Sequence, residues 1–110
     1  MSIDLKQLQT DVYQNKLDKG FNTTDIALEF CRAHEELSEA FAKYNKDESG
    51  VGEELADVAI FLLGISEIMG FDLQAELLRK IEINKNRIYK KTVNKQGKEI
   101  YMRVKTKDDK

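Results

Sequence analysis

Three carboxylates lie within five residues in the segment HEELSEAFAKY, which runs from His34 to Tyr44. Glu36 and Glu39 are three residues apart, so on a helix they are neighbours on one face. Like charges at this spacing repel each other by roughly a few tenths of a kcal/mol per pair. An exposed helix tolerates that cost, and an isolated pattern of this kind usually marks a solvated acidic face. A site that binds cations would use the same charges.

A second acidic pair with the same spacing, Glu54 and Asp57, lies in the segment EELAD. The helix face that carries this pair continues with Phe61 and Ile68, so the two acids lie on a largely apolar stripe. Carboxylates in such a position are either desolvated or compensated by a metal ion or a positive partner. If the two helices are antiparallel, as their short connection favours, four carboxylates converge. Mg²⁺ or Mn²⁺ suits such a set of oxygen ligands.

A basic and amide pattern follows in KIEINKNRIY, where Lys80, Asn84 and Arg87 fall at i, i+4 and i+7. On one helix these residues share a face and could hold phosphate oxygens. Taken alone, the pattern is more typical of an ordinary polar face. Beside a metal site built from carboxylates, it would bind a polyphosphate from the opposite side.

Other metal and redox chemistries fit the sequence less well. His34 is the only histidine, so the Glu-x-x-His pairs of di-iron bundles are missing and no Cys/His cluster suits zinc. Cys31 is the only cysteine, which excludes an internal disulfide and is typical of a reduced, cytoplasmic location. We interpret Cys31 as a packing residue.

Four predicted helices must position these residues, in a chain that contains no proline. The first has a capping-box pattern at its start, the second follows the cap residues of NTT, and the fourth follows Asp72 as its cap. The expected ranges are about Asp4 to Lys19, from after Thr24 to about Tyr44, Val51 to Met69 and Leu73 to Ile88.

Two of these helices carry most of the apolar side chains. The third is apolar at nearly every azimuth from Val58 to Ile65, and a helix that is apolar all round must be buried all round. A single chain of four helices can hardly enclose it, so we expect a partner subunit to cover one side. The second helix has an apolar stripe at helical spacing, formed by Ile26, Phe30, Ala33, Leu37, Phe41 and Tyr44.

The charge changes sign along the chain. Residues 1–89 hold 10 basic and 17 acidic side chains, whereas residues 90–110 hold 8 basic and 3 acidic ones. The sequence around NKQG suits either a short β-hairpin or a flexible basic tail. A solubilising terminus, or one that docks on the acidic body of the chain, is favoured over a nucleic-acid-binding arm. We expect no secretory signal in MSIDLKQLQTD, and no apolar run is long enough to span a membrane.

Taken together, three motifs resemble those of a known family. EELSE matches E-E-x-x-E, ELAD matches E-x-x-D, and KIEINKNR matches K-x-x-x-N-x-x-R, in this order between Ile26 and Tyr89. The chain thus resembles the MazG-like all-α NTP pyrophosphohydrolases, relatives of dimeric dUTPases and dCTP pyrophosphatases. The resemblance implies a four-helix bundle over residues 1–89, completed by oligomerisation as a homodimer or homotetramer. It also implies Mg²⁺-dependent hydrolysis of an NTP or dNTP to its monophosphate and pyrophosphate.

The resemblance also implies a role for each motif residue. The metal ligands for Mg²⁺, with Mn²⁺ as a substitute, would be Glu36, Glu39, Glu54 and Asp57. Glu35 would be the base that orients and deprotonates water. Lys80 and Arg87 would bind phosphates, and Asn84 the phosphate or the sugar. Phe61 would either stack on the base or pack in the core.

Two other function classes stay open at this point. The principal alternative is a non-catalytic helical module that binds a nucleotide or divalent ion and regulates a partner. A nucleic-acid-binding protein that acts through residues 90–110 is a weaker one. The chain lacks tryptophan, which some relatives use around the base, so a base preference does not transfer from the family.

Overall fold

The computed structural model describes residues 2–105, in which four helices are followed by a two-stranded antiparallel sheet. This confirms the expectation of a largely helical chain with four helices, and of the two forms considered for the segment around NKQG, the hairpin is the one that forms. Residues 106–110 of the basic extension lie outside the described residues. The elements are α1 (Leu5–Lys19), α2 (Ile26–Asn45), α3 (Val51–Met69), α4 (Leu73–Lys85), β1 (Ile88–Val93) and β2 (Glu99–Val104).

The chain divides into two compact units, the first ending at Glu76 and the second starting at Leu77. The division falls within α4, earlier than the boundary expected at residue 89. In the first unit, α3 packs against both α1 and α2. In the second unit, β1 pairs with β2 so that Ile88 lies opposite Val104. None of the helices described within residues 2–105 has the length and hydropathy that a membrane span requires.

Aspartate side chains set three of the helix starts. Asp4 accepts a hydrogen bond from the backbone N–H of Gln7 at 3.1 Å, as the capping pattern predicts. The Gln7 side chain donates to Asp11 instead of returning to the cap, so the expected capping box is only half formed. Asp25 caps α2, and Asp72 caps α4 as predicted.

The fourth helix ends earlier than its sequence pattern predicts. It stops at Lys85, and Ile88 begins β1 instead of extending the helix. The β-branched and aromatic residues from Ile88 onward favour a strand over the last helical turn. Arg87 therefore lies beyond the helix, where its backbone N–H bonds to the carbonyl of Asn84. The expectation that Lys80, Asn84 and Arg87 share one helix face is wrong for Arg87.

Helix α1 approaches α3 closely at Gly64. A Cβ atom at this position would lie 3.0 Å from Cε of Lys16 and 3.6 Å from Cγ1 of Val12. The aliphatic part of Lys16 thus passes over α3 where the glycine leaves room. Its ammonium group forms a buried ion pair with Glu29 on α2. This single side chain therefore connects all three helices of the first unit.

The first unit buries few large side chains. Its buried apolar residues are Ala33, Ala40, Leu63 and Ile65. The inward face of α2 carries small and charged residues, at positions 29, 33, 36, 40 and 43. Most of the predicted apolar stripe lies on another face, where Phe30, Leu37, Phe41 and Tyr44 are 45%, 50%, 61% and 70% exposed. Glu36 consequently faces the other helices of its own chain.

Candidate metal centre

Three carboxylates converge where α2 packs against α3. Glu36, Glu54 and Asp57 each offer an oxygen, and these oxygens all lie within 4.8 Å of one another. All three residues are half-buried. The structure therefore brings together Glu36, one member of the acidic pair on α2, and both members of the pair on α3, Glu54 and Asp57. Oxygen ligands in such a cluster suit a hard divalent cation.

Glu54 has one oxygen that is paired and one that is not. Its Oε1 accepts a hydrogen bond from Nζ of Lys43 at 2.8 Å. Its Oε2 is inaccessible to solvent and, with the neighbouring carboxylates ionised, has no hydrogen-bond donor among residues 2–105. A carboxylate oxygen closed off from water without a donor is costly. A cation or a proton delivered to this oxygen would remove that cost, so the donor set fits a bound metal ion.

The pKa of Glu36 reflects the same crowding. Hydrogen bonding with Glu54 is the largest of the effects that raise this pKa from 4.5 to about 7. Desolvation and repulsion by Glu39, Glu54 and Asp57 add to it. The pKa of Glu54 is lowered, first by the Lys43 ammonium group and then by Glu36. Of these two carboxyl groups, Glu36 is therefore the one that binds a proton more readily than an isolated glutamate does.

The other two acids of the EELSE motif, Glu35 and Glu39, are both exposed. The charge of Glu39 raises the pKa of Glu36, and its hydrogen bonding helps to lower that of Glu54, so Glu39 lies close to the cluster. Glu35 is not one of the three clustered carboxylates. Its role as a base stays a prediction.

A cavity of about 460 Å³ adjoins this cluster, because Asp57 lines both. Phe61 contributes a half-buried ring to the cavity wall, and Nζ of Lys16 lies 5.6 Å from the centre of that ring. Sequence reasoning missed Lys16, Glu29 and Arg32, which also line the cavity. The four-residue spacing of Glu29 and Ala33 was the available signal for an inward face, but the larger apolar residues beside it obscured that signal.

The predicted phosphate-binding residues belong to the second unit. Lys80 and Asn84 are exposed on α4, and Arg87 follows the helix. The Nε atom of Arg87 is inaccessible and has no hydrogen-bond partner in the described part of the chain. The part these residues take in binding a substrate stays a prediction.

A scan against protein-family models finds no match for the chain, and searches of curated proteins and of solved structures find none either. The likeness to the MazG-like family therefore rests on the three sequence motifs. The cluster of Glu36, Glu54 and Asp57 is a feature of the structure that does not depend on that likeness.

Proposed function

We propose that the chain is a metal-dependent nucleoside triphosphate pyrophosphohydrolase of MazG-like type. The observation that carries the proposal is the inaccessible, unpartnered Oε2 of Glu54 in a cluster of carboxylates. A hard cation such as Mg²⁺ or Mn²⁺ would satisfy that oxygen and would neutralise Glu36 and Asp57 as well.

Glu36, Glu54 and Asp57 would hold the ion, with Glu39 at the edge of the set. A cation bound there would neutralise negative charge on the triphosphate and on the leaving pyrophosphate. Glu35 accepts a proton from water as the water oxygen bonds to phosphorus. The bond from that phosphorus to the oxygen that bridges the α and β phosphorus atoms breaks, and its electron pair stays on that oxygen in the leaving group.

Three residues of the second unit are the proposed phosphate-binding groups. Lys80 and Arg87 carry the positive charges that a triphosphate requires, and Asn84 offers an amide to a phosphate or the sugar. Their contribution is tested separately from that of the metal ligands. Loss of Lys80 should raise KM for the nucleotide without weakening binding of Mn²⁺ in its absence.

The experiment that tests the proposal is a panel of NTPs and dNTPs incubated with Mg²⁺, scored for monophosphate and pyrophosphate. Glu36→Gln and Asp57→Asn should abolish release of pyrophosphate while circular dichroism shows an intact helical fold. Glu53→Gln is the matched control, because this exposed acid lies in α3 next to Glu54 but outside the cluster. Undiminished release from Glu36→Gln or Asp57→Asn would exclude the assignment of these residues as ligands.

A second candidate function is a non-catalytic module that binds a divalent ion. The observation that favours it is the position of Glu35, which is exposed and is not one of the three clustered carboxylates. Binding of Mn²⁺ with no turnover across the nucleotide panel would identify the chain as such a module.

We also propose that a second copy of the chain covers the exposed apolar face of α2. Leu37 and Phe41 are half or more exposed there, an unfavourable arrangement for an isolated chain. Light scattering after size exclusion should give a multiple of 12.7 kDa. Leu37→Glu with Phe41→Glu should give a monomer, whereas Ser38→Glu, an exposed neighbour, should not. A monomeric wild-type chain at high micromolar concentration would contradict the proposal.

A further inference from the structure

The cavity beside the carboxylate cluster has the size and lining of a small-molecule pocket. Its volume of about 460 Å³ is in the range of ligand sites, and its walls come from α1, α2, α3 and the loop between α1 and α2. Two aromatic rings, Phe21 and Phe61, contribute to the wall. Aliphatic side chains supply most of the remaining apolar surface, namely Val12, Leu28 and Ile60.

The buried charges of the wall are already paired with each other. Nζ of Lys16 donates to Oε1 of Glu29 and also lies 3.4 Å from the carbonyl oxygen of Asn22. The second oxygen of Glu29 accepts from Nδ2 of Asn22 at 3.3 Å. The Oδ1 atom of Asn22 accepts from the backbone N–H groups of Thr24 and Asp25. These groups build the wall and leave little capacity to recognise a ligand.

Apart from Asp57 of the carboxylate cluster, two other polar side chains of the wall are free to do so. Neither the side chain of Asn15 nor that of Arg32 has a hydrogen bond or ion pair within residues 2–105, and both residues are exposed. Arg32 lies one helical turn before Glu36 on α2, so it is a neighbour of the carboxylate cluster on the same helix. Its guanidinium group has five N–H donors and no acceptor. A ligand that pairs with it must therefore present acceptors, whereas the amide of Asn15 can pair with either kind of group.

We propose that this cavity takes the base of the nucleotide substrate and that Arg32 selects bases with a carbonyl oxygen. This inference rests on the proposed function. The rings of Phe21 and Phe61 provide flat apolar surface against which a base can stack. Guanine, uracil and thymine present a carbonyl oxygen where adenine and cytosine present an amino group. The N–H donors of Arg32 can pair with the carbonyl oxygen of guanine, uracil or thymine. They would face the N–H donors of the amino group of adenine or cytosine.

Paired substrates test the selection. The kcat/KM ratios of dUTP to dCTP and of GTP to ATP should both favour the carbonyl base, the second by about tenfold to a hundredfold for a bidentate contact with O6 and N7 of guanine. Arg32→Gln should bring both ratios close to one, mainly by lowering kcat/KM for dUTP and GTP. Lys19→Gln, which removes an exposed cation of α1 that does not line the cavity, should leave the ratios unchanged. A wild-type preference for dCTP and ATP, or unchanged ratios in Arg32→Gln, would overturn the proposal.

Binding of monophosphates separates this inference from the proposed function, because it requires neither metal nor hydrolysis. In ¹⁵N-labelled full-length protein, UMP should shift the amide signals of Val12, Leu28 and Phe61 more than CMP does, and Arg32→Gln should abolish the difference. A preference for UMP without turnover of any triphosphate would support base binding in the cavity and refute the proposed enzymatic activity. Turnover of triphosphates without shifts at these amides would support the enzymatic activity and refute base binding in the cavity.

Discussion

The loss of stability that the metal-free chain undergoes between pH 6 and 8 should be largely offset when the carboxylate cluster binds a cation. The pKa of Glu36 is about 7 in the folded chain, against an ordinary value of 4.5, because Glu54 hydrogen bonds to it and burial and neighbouring acids oppose its charge. The folded chain thus holds this proton more tightly than the unfolded chain does. Its contribution to stability is fully present below pH 4.5 and is lost as the pH rises through 7.

Glu54 acts in the opposite direction and in a different pH window. Its pKa is lowered, chiefly by the Lys43 ammonium group, so its contribution is present above its ordinary pKa and is lost only in more acidic solution. Between pH 6 and 8 Glu36 is therefore the group of this cluster that changes charge. The metal-free protein should lose stability across this range.

A bound cation must displace the proton of Glu36, and its affinity should therefore fall about tenfold per pH unit below the pKa. At pH 8, an ion concentration of a hundred times Kd raises the free energy of unfolding by about 2.7 kcal/mol. For a chain of this length, the midpoint of thermal unfolding should rise by about 10 °C. At pH 6 Kd is about tenfold higher, so the same ion concentration is only about ten times Kd. The free energy of unfolding then rises by about half as much as at pH 8.

Thermal melts followed by circular dichroism, with and without Mn²⁺ at pH 6 and 8, measure these shifts. Glu36→Gln should be at least as stable as the wild type without metal at pH 8, because the amide donates to Glu54 and carries no charge. It should lose the response to Mn²⁺. Glu35→Gln is the control and should keep the response while losing turnover. No response at pH 8, an equal response at both pH values, or a full response in Glu36→Gln would each refute the reasoning.

Three further predictions concern the packing and charges of the first unit. Gly64→Ala should lower the free energy of unfolding by about 1–3 kcal/mol, because the added Cβ would displace Lys16. Gly52→Ala should not lower it, because a Cβ at that position meets nothing within 4 Å. Equal losses for the two variants in urea denaturation would contradict this prediction. Lys16→Met should cost about 3–5 kcal/mol in the same assay by leaving Glu29 buried and unpaired, and adding Glu29→Leu should recover most of the loss. Lys43→Met should lower the melting temperature of the metal-free protein at pH 8, and saturating Mn²⁺ should restore it.

The positions of the helices were largely predictable, because local signals determine them. The structure places α3 at Val51–Met69, the predicted range, and Gly70 ends it with a φ of 80° that favours glycine. The end of α4 was not predictable from helical periodicity. The residues from Ile88 onward satisfy a strand pattern as well, and pairing with β2 supports the strand.

The buried face of α2 could not be predicted from hydrophobicity. Periodicity identifies a face that avoids water, but it does not say whether helices of the same chain or another molecule cover that face. The stripe that includes Leu37 and Phe41 is exposed in the single chain, while Glu29 and Glu36 face inward. Small residues such as Ala33 and Ala40 let α2 pack closely against α3. Their small size also makes them weak signals in a sequence.

The charge balance of the cluster distinguishes a metal site from an acidic face that shares a proton. With Glu36 protonated, the ammonium group of Lys43 offsets one of the two charges on Glu54 and Asp57, so one negative charge stays uncompensated in a half-buried position. With Glu36 ionised and a divalent cation bound, the charges of these four side chains and the ion cancel. The cation also reaches more than one oxygen at a time, which a single proton cannot do. A divalent ion therefore compensates the excess charge and also pairs with the unpartnered oxygen of Glu54. Protonation of Glu36 can supply a donor to that oxygen but leaves the excess charge.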